Sequence, residues 1–222
     1  MSQISTQNLD ALPGIDRLKL LLQSLATLDA IMSPEWEYRY YSFDANWSPG
    51  EQMGSMRNGS GDELFALFTD AGSFIKGFAH EYPMTPYRTQ PPQIWAGVLD
   101  EIPDDFSSGV NEPAFSMNET TFCIWRRYSD SSWCHGPIDF PEGDDPDGSA
   151  YLLRSLDDDP ATYCRFAEDY FESTVPVEAV SHVYNHLALT AQVVQSLNPD
   201  VTLNDLSQQF TEIGYPIENA KE

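Results

Sequence analysis

Basic residues are scarce in this chain of 222 residues, which has 11 lysines and arginines against 35 aspartates and glutamates and a formal net charge of −24. A field of this sign repels phosphate backbones and anionic lipid surfaces. We therefore expect no direct contact with nucleic acid or with a membrane. The same field favours a basic protein partner, although an acidic surface that serves only solubility gives the same composition.

Cysteines are also few. Cys123, Cys134 and Cys164 are an odd number and lack the spacing of a metal site. The chain has no apolar run of the roughly eighteen residues that a membrane span needs. Residues 1–19 lack the basic and apolar segments of a secretion signal. Together these absences predict a reducing, cytoplasmic compartment.

Complete catalytic motifs are missing as well. No G-x-S-x-G elbow occurs, and the glycine-rich turn in "SMRNGSGDE" lacks the lysine of a phosphate loop. Cys134 stands beside His135, but a thiol nucleophile needs a histidine that is near in space rather than adjacent in sequence. The acidic loop that follows Cys134 would raise the pKa of its thiol. The sequence therefore names no catalytic residue.

Apolar residues, in contrast, are sufficient for a core. Hydrophobic residues make up 41% of the chain and aromatic residues 13%, too many for a disordered segment of this length. We expect a flexible N-terminus over residues 1–10 and one domain over 11–222. The acidic loop at 139–149 is the best candidate for a boundary within that domain.

The order of the predicted elements indicates an α+β fold. Apolar residues recur at helical spacing from Leu12 to Met32. Alternating side chains then predict a strand beginning at Trp36, and "ELFALFT-DAG-SFIKGFAH" predicts a hairpin in which Gly72 takes a positive φ. A short helix is expected over 94–99. Another strand is expected in "TTFCIWRRYSD".

The last third of the chain predicts helices. Pro160 and Pro176 each stand where a first helical turn would begin, Thr190 is a candidate cap, and Thr202 with Asp205 approximates a capping box. We expect a mostly antiparallel sheet with an N-terminal helix and a C-terminal helical bundle packed on it.

Two candidate binding features lie around the predicted hairpin. The glycine-rich turn, with Arg57 and Asp62, could present backbone N–H groups to an anion, although turn formation explains the same residues. His80 and Glu81, at the end of the hairpin, are usable as acid and base. Neighbours in a strand point to opposite faces, so this pair would need a bend to act on one atom.

An aromatic segment offers a further binding surface. Trp36, Tyr38 and Tyr40 are expected on one face of the predicted strand and in the core. Arg39, Tyr41, Phe43 and the nearby Trp47 are the candidates for a protein-binding face, because aromatic residues and arginine are enriched at interfaces.

His182 and His186 are the only metal candidates. They stand four residues apart in a predicted helix and so share a face. No third ligand is fixed by the sequence, and two histidines partly buried between helices explain the spacing equally well. We expect no cofactor apart from a divalent metal at this pair.

Several segments together resemble a family of uncharacterised bacterial proteins. They are "EWEYRYYSFDANW", "MRNGSGDELFALF", "IKGFAHE", "PAFSMNETTFCIWR" and "NPDVTLNDLSQQFTEIGY". The resemblance runs over residues 15–217 and is loosely similar to immunity-type proteins, which bind and block a toxin. It implies a bacterial cytosolic single domain and carries no active site with it.

The expected function is therefore that of an acidic protein-binding domain whose partner is a basic toxin or effector. A metal-assisted hydrolase that uses histidines and carboxylates is one alternative. A nucleic-acid mimic, whose carboxylates imitate phosphates in a basic cleft, is another. The oligomeric state stays open.

Overall fold

The computed structural model describes residues 3–218. Five strands form a single antiparallel sheet in which each strand pairs with the next in the chain. They are β1 (Tyr41–Ser48), β2 (Glu51–Arg57), β3 (Glu63–Phe68), β4 (Gly72–Phe78) and β5 (Phe122–Arg127). The prediction of an α+β fold with a mostly antiparallel sheet is confirmed.

One helix precedes this sheet in the chain, a short one lies between β4 and β5, and the others follow β5. The helices are α1 (Ile15–Met32), α2 (Ser107–Val110), α3 (Ser149–Leu152), α4 (Pro160–Tyr170), α5 (Val177–Tyr184), α6 (Ala191–Leu197) and α7 (Ser207–Ile213). Thr190 caps α6 by accepting a hydrogen bond from the backbone N–H of Val193 at 3.2 Å, as its position predicted. Thr202 and Asp205 bond reciprocally as in a capping box, but they close the turn before α7 rather than its first turn, which begins at Ser207.

The predicted hairpin joins β3 to β4. Thr69 and Gly72 exchange backbone hydrogen bonds of 2.9 and 3.3 Å across the turn. Gly72 has φ +153, and a Cβ atom there would lie 2.1 Å from the backbone oxygen of Arg126 in β5. Glycine is required here both by its backbone conformation and by the close approach of β5.

One face of the sheet packs against the helices. Strand alternation directs Met56, Leu64 and Ile75 to this side, where they share a core with α1 and the C-terminal helices. Gly54, opposite Phe43 in the sheet register, lets α1 approach closely. A Cβ atom at Gly54 would lie 3.1 Å from the side chain of Leu22.

The other face packs against a layer with little regular structure. Phe65, Phe74 and Trp125 form a second core with Phe106 and Phe115, which come from short helical turns in this layer. Burial on both faces explains why β3 and β4 are apolar throughout. We name residues 84–121 and 134–144 the acidic layer.

Two expectations about local structure are wrong. The strand does not begin at Trp36, because Trp36–Tyr38 is a 3₁₀ turn and β1 starts at Tyr41. The Asp29 carboxylate accepts the backbone N–H groups of Tyr40 and Tyr41 at 2.9 and 2.7 Å and so fixes the corner there. Residues 94–99 form turns rather than a helix.

The described part of the N-terminal segment, residues 3–10, is attached to the domain. Ile4 and Thr6 are buried. The Thr6 hydroxyl donates to Asp147 at 2.5 Å, and the Thr6 N–H donates to the Ser149 hydroxyl at 2.9 Å. The segment expected to be flexible therefore makes contacts with the end of the acidic loop.

Candidate functional site

The glycine-rich turn between β2 and β3 is closed by an asparagine. The side-chain oxygen of Asn58 accepts the backbone N–H groups of Ser60 and Asp62 at 2.8 and 3.1 Å, and its amide donates to the Asp62 carboxylate at 2.6 Å. Arg57 and Asp62, the two charged residues expected at this turn, form no ion pair with each other. Arg57 instead lies over the ring of Phe65, with 5.2 Å from its guanidinium carbon to the ring centroid.

His80 lies against the same turn. Its backbone N–H and its Nδ1 contact one oxygen of the buried Asp62 at 2.9 and 2.7 Å, and its Nε2 is 3.8 Å from the Glu81 carboxylate. Within residues 3–218 the His80 ring has no serine hydroxyl or thiol at hydrogen-bond distance. This arrangement fixes the orientation of the His80 ring and closes the glycine-rich turn.

His182 lies in α5, whereas His186 follows the end of this helix at Tyr184, so the two do not share a helical face as expected. His182 Nε2 is 2.9 Å from the backbone oxygen of Ala188. The His186 ring packs on Tyr215 with centroids 4.5 Å apart, and burial lowers its pKa, with the charge of Arg17 acting in the same direction. In the described part of the chain, no group of three or more histidine, cysteine, aspartate or glutamate side chains is placed to hold a metal ion.

The predicted aromatic binding face is not a surface. Tyr41 and Phe43 are each 3% exposed and belong to the core shared with α1, because the strand is covered where we expected it to be open. Trp47 is half-buried and stacks on Phe115, with ring centroids 6.3 Å apart. Arg39 donates to the backbone oxygens of residues 33 and 34, at the corner before β1.

A different site lies at the sheet edge, where the corner before β1 meets α3 and α4. It consists of two adjoining pockets of about 480 and 190 Å³. The larger is lined by Tyr40, Asn58, Ser60, Tyr151, Arg154, Ser155, Thr162, Arg165, Phe166, Asp169 and Tyr170. The smaller is lined by Trp36, Glu37, Arg39, Tyr40, Ser42, Ser55, Arg57, Gly59 and Tyr170. We name the two together the arginine cleft.

Four of the 11 basic residues of the chain line this cleft: Arg39, Arg57, Arg154 and Arg165. Within residues 3–218 none of the four forms an ion pair, although carboxylates are abundant; the pairs that do form use Arg17, Lys76, His80 and Arg127. The cleft is thus locally cationic on a strongly anionic protein.

Aromatic rings separate and line the two pockets. Tyr40 and Tyr170, which line both, pack on Phe166 with centroids 4.9 and 5.4 Å apart. The Tyr40 and Tyr151 hydroxyls are 3.3 Å apart, and Arg154 lies 4.7 Å over the Tyr151 ring. The cleft therefore presents ring faces, phenol groups and guanidinium groups together.

A buried carboxyl holds the corner beneath the cleft. Asp29 is fully buried in α1 and accepts hydrogen bonds from the backbone of Tyr40 and Tyr41 and from the Tyr163 hydroxyl at 2.8 Å. Burial raises the pKa of Asp29 to about 7, while these hydrogen bonds act in the opposite direction. Asp29 thereby ties the floor of the cleft to α1 and α4.

Sequence reasoning found only part of this cleft. It selected Arg39 and Arg57 but missed Arg154, Arg165 and Tyr170, which are more than ninety residues further along the chain. The one available signal was the scarcity of basic residues, which makes the position of each arginine informative.

Among the described residues, no helix is both long and apolar enough to cross a membrane.

A larger pocket of about 620 Å³ lies beside the turn between β1 and β2, with Lys19 and Tyr128 at its wall. Its lining comes mostly from β1, β2 and the turn between them, and it holds a single basic side chain. We therefore regard the arginine cleft as the better candidate site.

No protein-family model, no curated protein and no solved structure matches this chain. The resemblance to uncharacterised bacterial proteins therefore remains an expectation from the sequence.

Proposed function

We propose that this protein is an acidic binding domain for a basic protein, with the acidic layer as its docking surface. The observation that carries the proposal is the separation of charge. The layer holds nine carboxylates and one basic residue, Arg88. Seven of the carboxylates are exposed: Asp100, Glu101, Asp104, Asp105, Asp139, Glu142 and Asp144.

Few of these charges are neutralised within the molecule. In the described chain only Asp105 of the layer forms an ion pair, with Arg127 at 2.8 Å. The field of the layer therefore extends into solvent. Such a field accelerates association with an oppositely charged partner and makes that association sensitive to salt.

The proposed setting is the bacterial cytoplasm, and the proposed class is an immunity-type protein that blocks a basic toxin or effector. All three cysteines are free thiols in the structure, which fits a reducing compartment. The two other functions that the sequence left open, a metal-assisted hydrolase and a nucleic-acid mimic, remain predictions.

The proposal is tested by affinity capture from bacterial lysate at 50 and 500 mM NaCl, with an unrelated protein of similar net charge as the reference bait. We expect this protein, but not the reference bait, to retain a defined basic protein at low salt and to lose most of it at high salt. Mass spectrometry identifies the partner, and its dissociation constant is then measured with purified components.

A matched pair of variants locates the surface. Asp100→Asn, Asp104→Asn and Asp139→Asn together remove three charges from the acidic layer. Asp10→Asn, Glu178→Gln and Asp200→Asn together remove three exposed charges elsewhere. We expect the first set alone to weaken binding strongly, chiefly through a slower association rate. Equal effects of the two sets, or capture of no basic protein, would contradict the proposal.

A further inference from the structure

We propose that the arginine cleft binds a small organic phosphate that carries an aromatic ring, of the nucleoside monophosphate class. The inference concerns a site separate from the acidic layer and does not depend on the proposed partner. It rests on the two pockets, on their unpaired arginines and on the ring surfaces between them.

The smaller pocket has the chemistry of a phosphate site. Arg39 and Arg57 both line it and have no carboxylate partner in the described chain. The Ser42 and Ser55 hydroxyls, 2.7 Å apart on neighbouring strands, face the same space. Guanidinium groups bind phosphate through paired charge-assisted hydrogen bonds, and hydroxyl groups supply further donors.

Arg39 is already positioned for this role. Its Nε and one terminal nitrogen donate to the backbone oxygens of Ser33 and Pro34 at 2.8 and 2.7 Å. Within residues 3–218 the other terminal nitrogen donates no hydrogen bond. A guanidinium held on one side by backbone oxygens loses little side-chain entropy when its free side meets an anion.

The larger pocket has the chemistry of a ring site. Its volume of about 480 Å³ lies within the range of small-molecule sites. Tyr170 lines this pocket with its ring and is 41% exposed. Asp169 offers a carboxylate acceptor to the polar edge of a heterocycle.

The two pockets meet at Tyr40 and Tyr170, so one ligand can occupy both. A phosphate in the smaller pocket and a ring in the larger one would be joined across this boundary, as a sugar joins the two parts of a nucleotide. Arg154 and Arg165 then flank the ring site and add positive charge on its far side. Neither inorganic phosphate nor a nucleoside alone would fill the cleft.

Four arginines that form no ion pair in the described chain lie together in the cleft, which supports the binding of a ligand of opposite charge. The chain has thirty-five carboxylates that could neutralise them. Arg165 instead donates to the Thr162 hydroxyl at 2.9 Å. Arg57 and Arg154 lie over aromatic rings. Arginine stacked on a ring keeps its in-plane donors free for an anion.

Isothermal titration calorimetry with the full-length protein tests the proposal. The probes are AMP, CMP, GMP and UMP, the four corresponding nucleosides, and inorganic phosphate. We expect at least one monophosphate to bind with one-to-one stoichiometry and at least tenfold more tightly than both its nucleoside and inorganic phosphate. This order follows if the two halves of the ligand contribute from separate pockets.

Three single variants locate the ligand. Arg57→Gln removes a donor from the phosphate pocket and Arg154→Gln a charge from the ring pocket, while Lys19→Gln removes the same charge outside the cleft. We expect Arg57→Gln to weaken binding about tenfold or more, because it removes a charge-assisted hydrogen bond to the phosphate. Arg154→Gln should weaken binding less. Lys19→Gln should leave the dissociation constant within a factor of two of the wild-type value.

Arg57 and Arg154 are exposed, so their variants are expected to fold. Thermal unfolding of each variant checks this. Failure of all four monophosphates to bind at millimolar concentration would overturn the proposal. It would equally be overturned if inorganic phosphate bound as tightly as the best monophosphate, or if Lys19→Gln matched Arg57→Gln in effect.

Discussion

Asp29 and Lys76 are among the ionisable side chains that are fully buried in this acidic protein, and each shows how a single residue specifies local structure. Asp29 is satisfied by backbone and phenol donors at the corner before β1. Lys76 extends over the face of the sheet that packs on the acidic layer, and its ammonium group is 2.9 Å from Glu63. A buried charge is tolerated only with such partners, so both residues constrain their surroundings.

The raised pKa of Asp29 gives a testable dependence of stability on pH. The carboxyl has a pKa of about 7 in the folded protein against an ordinary value of 3.8, so between these two pH values the folded state holds a proton that the unfolded chain has lost. The contribution of Asp29 to the free energy of unfolding is therefore fully present below about pH 4 and is lost as the pH rises to about 7.

We expect Asp29→Asn to abolish this part of the pH dependence, because its amide oxygen still accepts the backbone N–H groups and does not titrate. Urea denaturation at pH 5, 6 and 7.5 measures the stability of the wild type relative to the variant. That difference should fall as the pH rises, by an amount on the order of a few kcal/mol. Asp10→Asn, at an exposed position, is the control. A difference that is flat or rises with pH would contradict the assignment.

The Lys76–Glu63 pair gives a second prediction at this scale. Burial lowers the pKa of Lys76, and Glu63 opposes that shift. Glu63→Met leaves the buried ammonium without a partner and should lower the free energy of unfolding by about 3 kcal/mol. Lys76→Met should cost less, because the Glu63 side chain is 21% exposed and can be hydrated.

A double-mutant cycle with urea denaturation checks this prediction. The double variant should be more stable than Glu63→Met alone, since it buries no unpaired charge. If Lys76→Met proved as destabilising as Glu63→Met, the hydration of Glu63 would not explain the asymmetry and the prediction would be wrong.

At the scale of elements, the sheet was predictable and the layer on it was not. The short apolar runs "ELFALF" and "GSFIKGF" and the turn between them specify β3 and β4 locally, because the length of the runs and the turn residues agree. The acidic layer has no such local pattern. Its position depends on contacts between segments that are distant in the chain.

Two glycines show how the halves of the acidic layer join. Gly97 has φ +88, and a Cβ atom there would lie 2.3 Å from the backbone oxygen of Pro137. A Cβ atom at Gly136 would lie 2.0 Å from the backbone oxygen of Gly97. Nearby, the Trp95 indole donates to the backbone oxygen of Asp139 at 3.0 Å. The two backbones meet only because neither has a side chain.

We expect Gly136→Ala to loosen the acidic layer, because the added methyl group collides with backbone rather than with a movable side chain. The variant should lose about 1–3 kcal/mol of stability and bind more of a hydrophobic dye, as the second core becomes accessible. Gly14→Ala is the control, since its added Cβ would have only an ordinary contact at 3.7 Å. Equal stability of the two variants would contradict this account.

At the scale of the whole molecule, charge is both abundant and unevenly placed. Of the 11 basic residues, four line the arginine cleft, whereas residues 89–125 contain none. The described chain forms only five ion pairs, two of which involve His80. Most carboxylates therefore repel one another across solvent, which opposes the compact state.

Salt should consequently stabilise this protein. Screening of carboxylate repulsion is expected to raise the midpoint of thermal unfolding between 10 and 200 mM NaCl, because the Debye length falls from about 30 to about 7 Å over this range. Differential scanning calorimetry at pH 7.5 measures the shift. A midpoint that stays constant or falls would show that attractive ion pairs outweigh the repulsion.

The amino-acid sequence by itself determined the helices, the antiparallel sheet and the acidic character, because periodicity, capping residues and composition act locally or on the whole chain. The tertiary structure alone decided that Tyr41 and Phe43 are buried, and that Arg57 lies across a pocket boundary from Arg154. A cleft is formed by residues that only folding brings together. No local pattern in a single sequence specifies which distant side chains will share it.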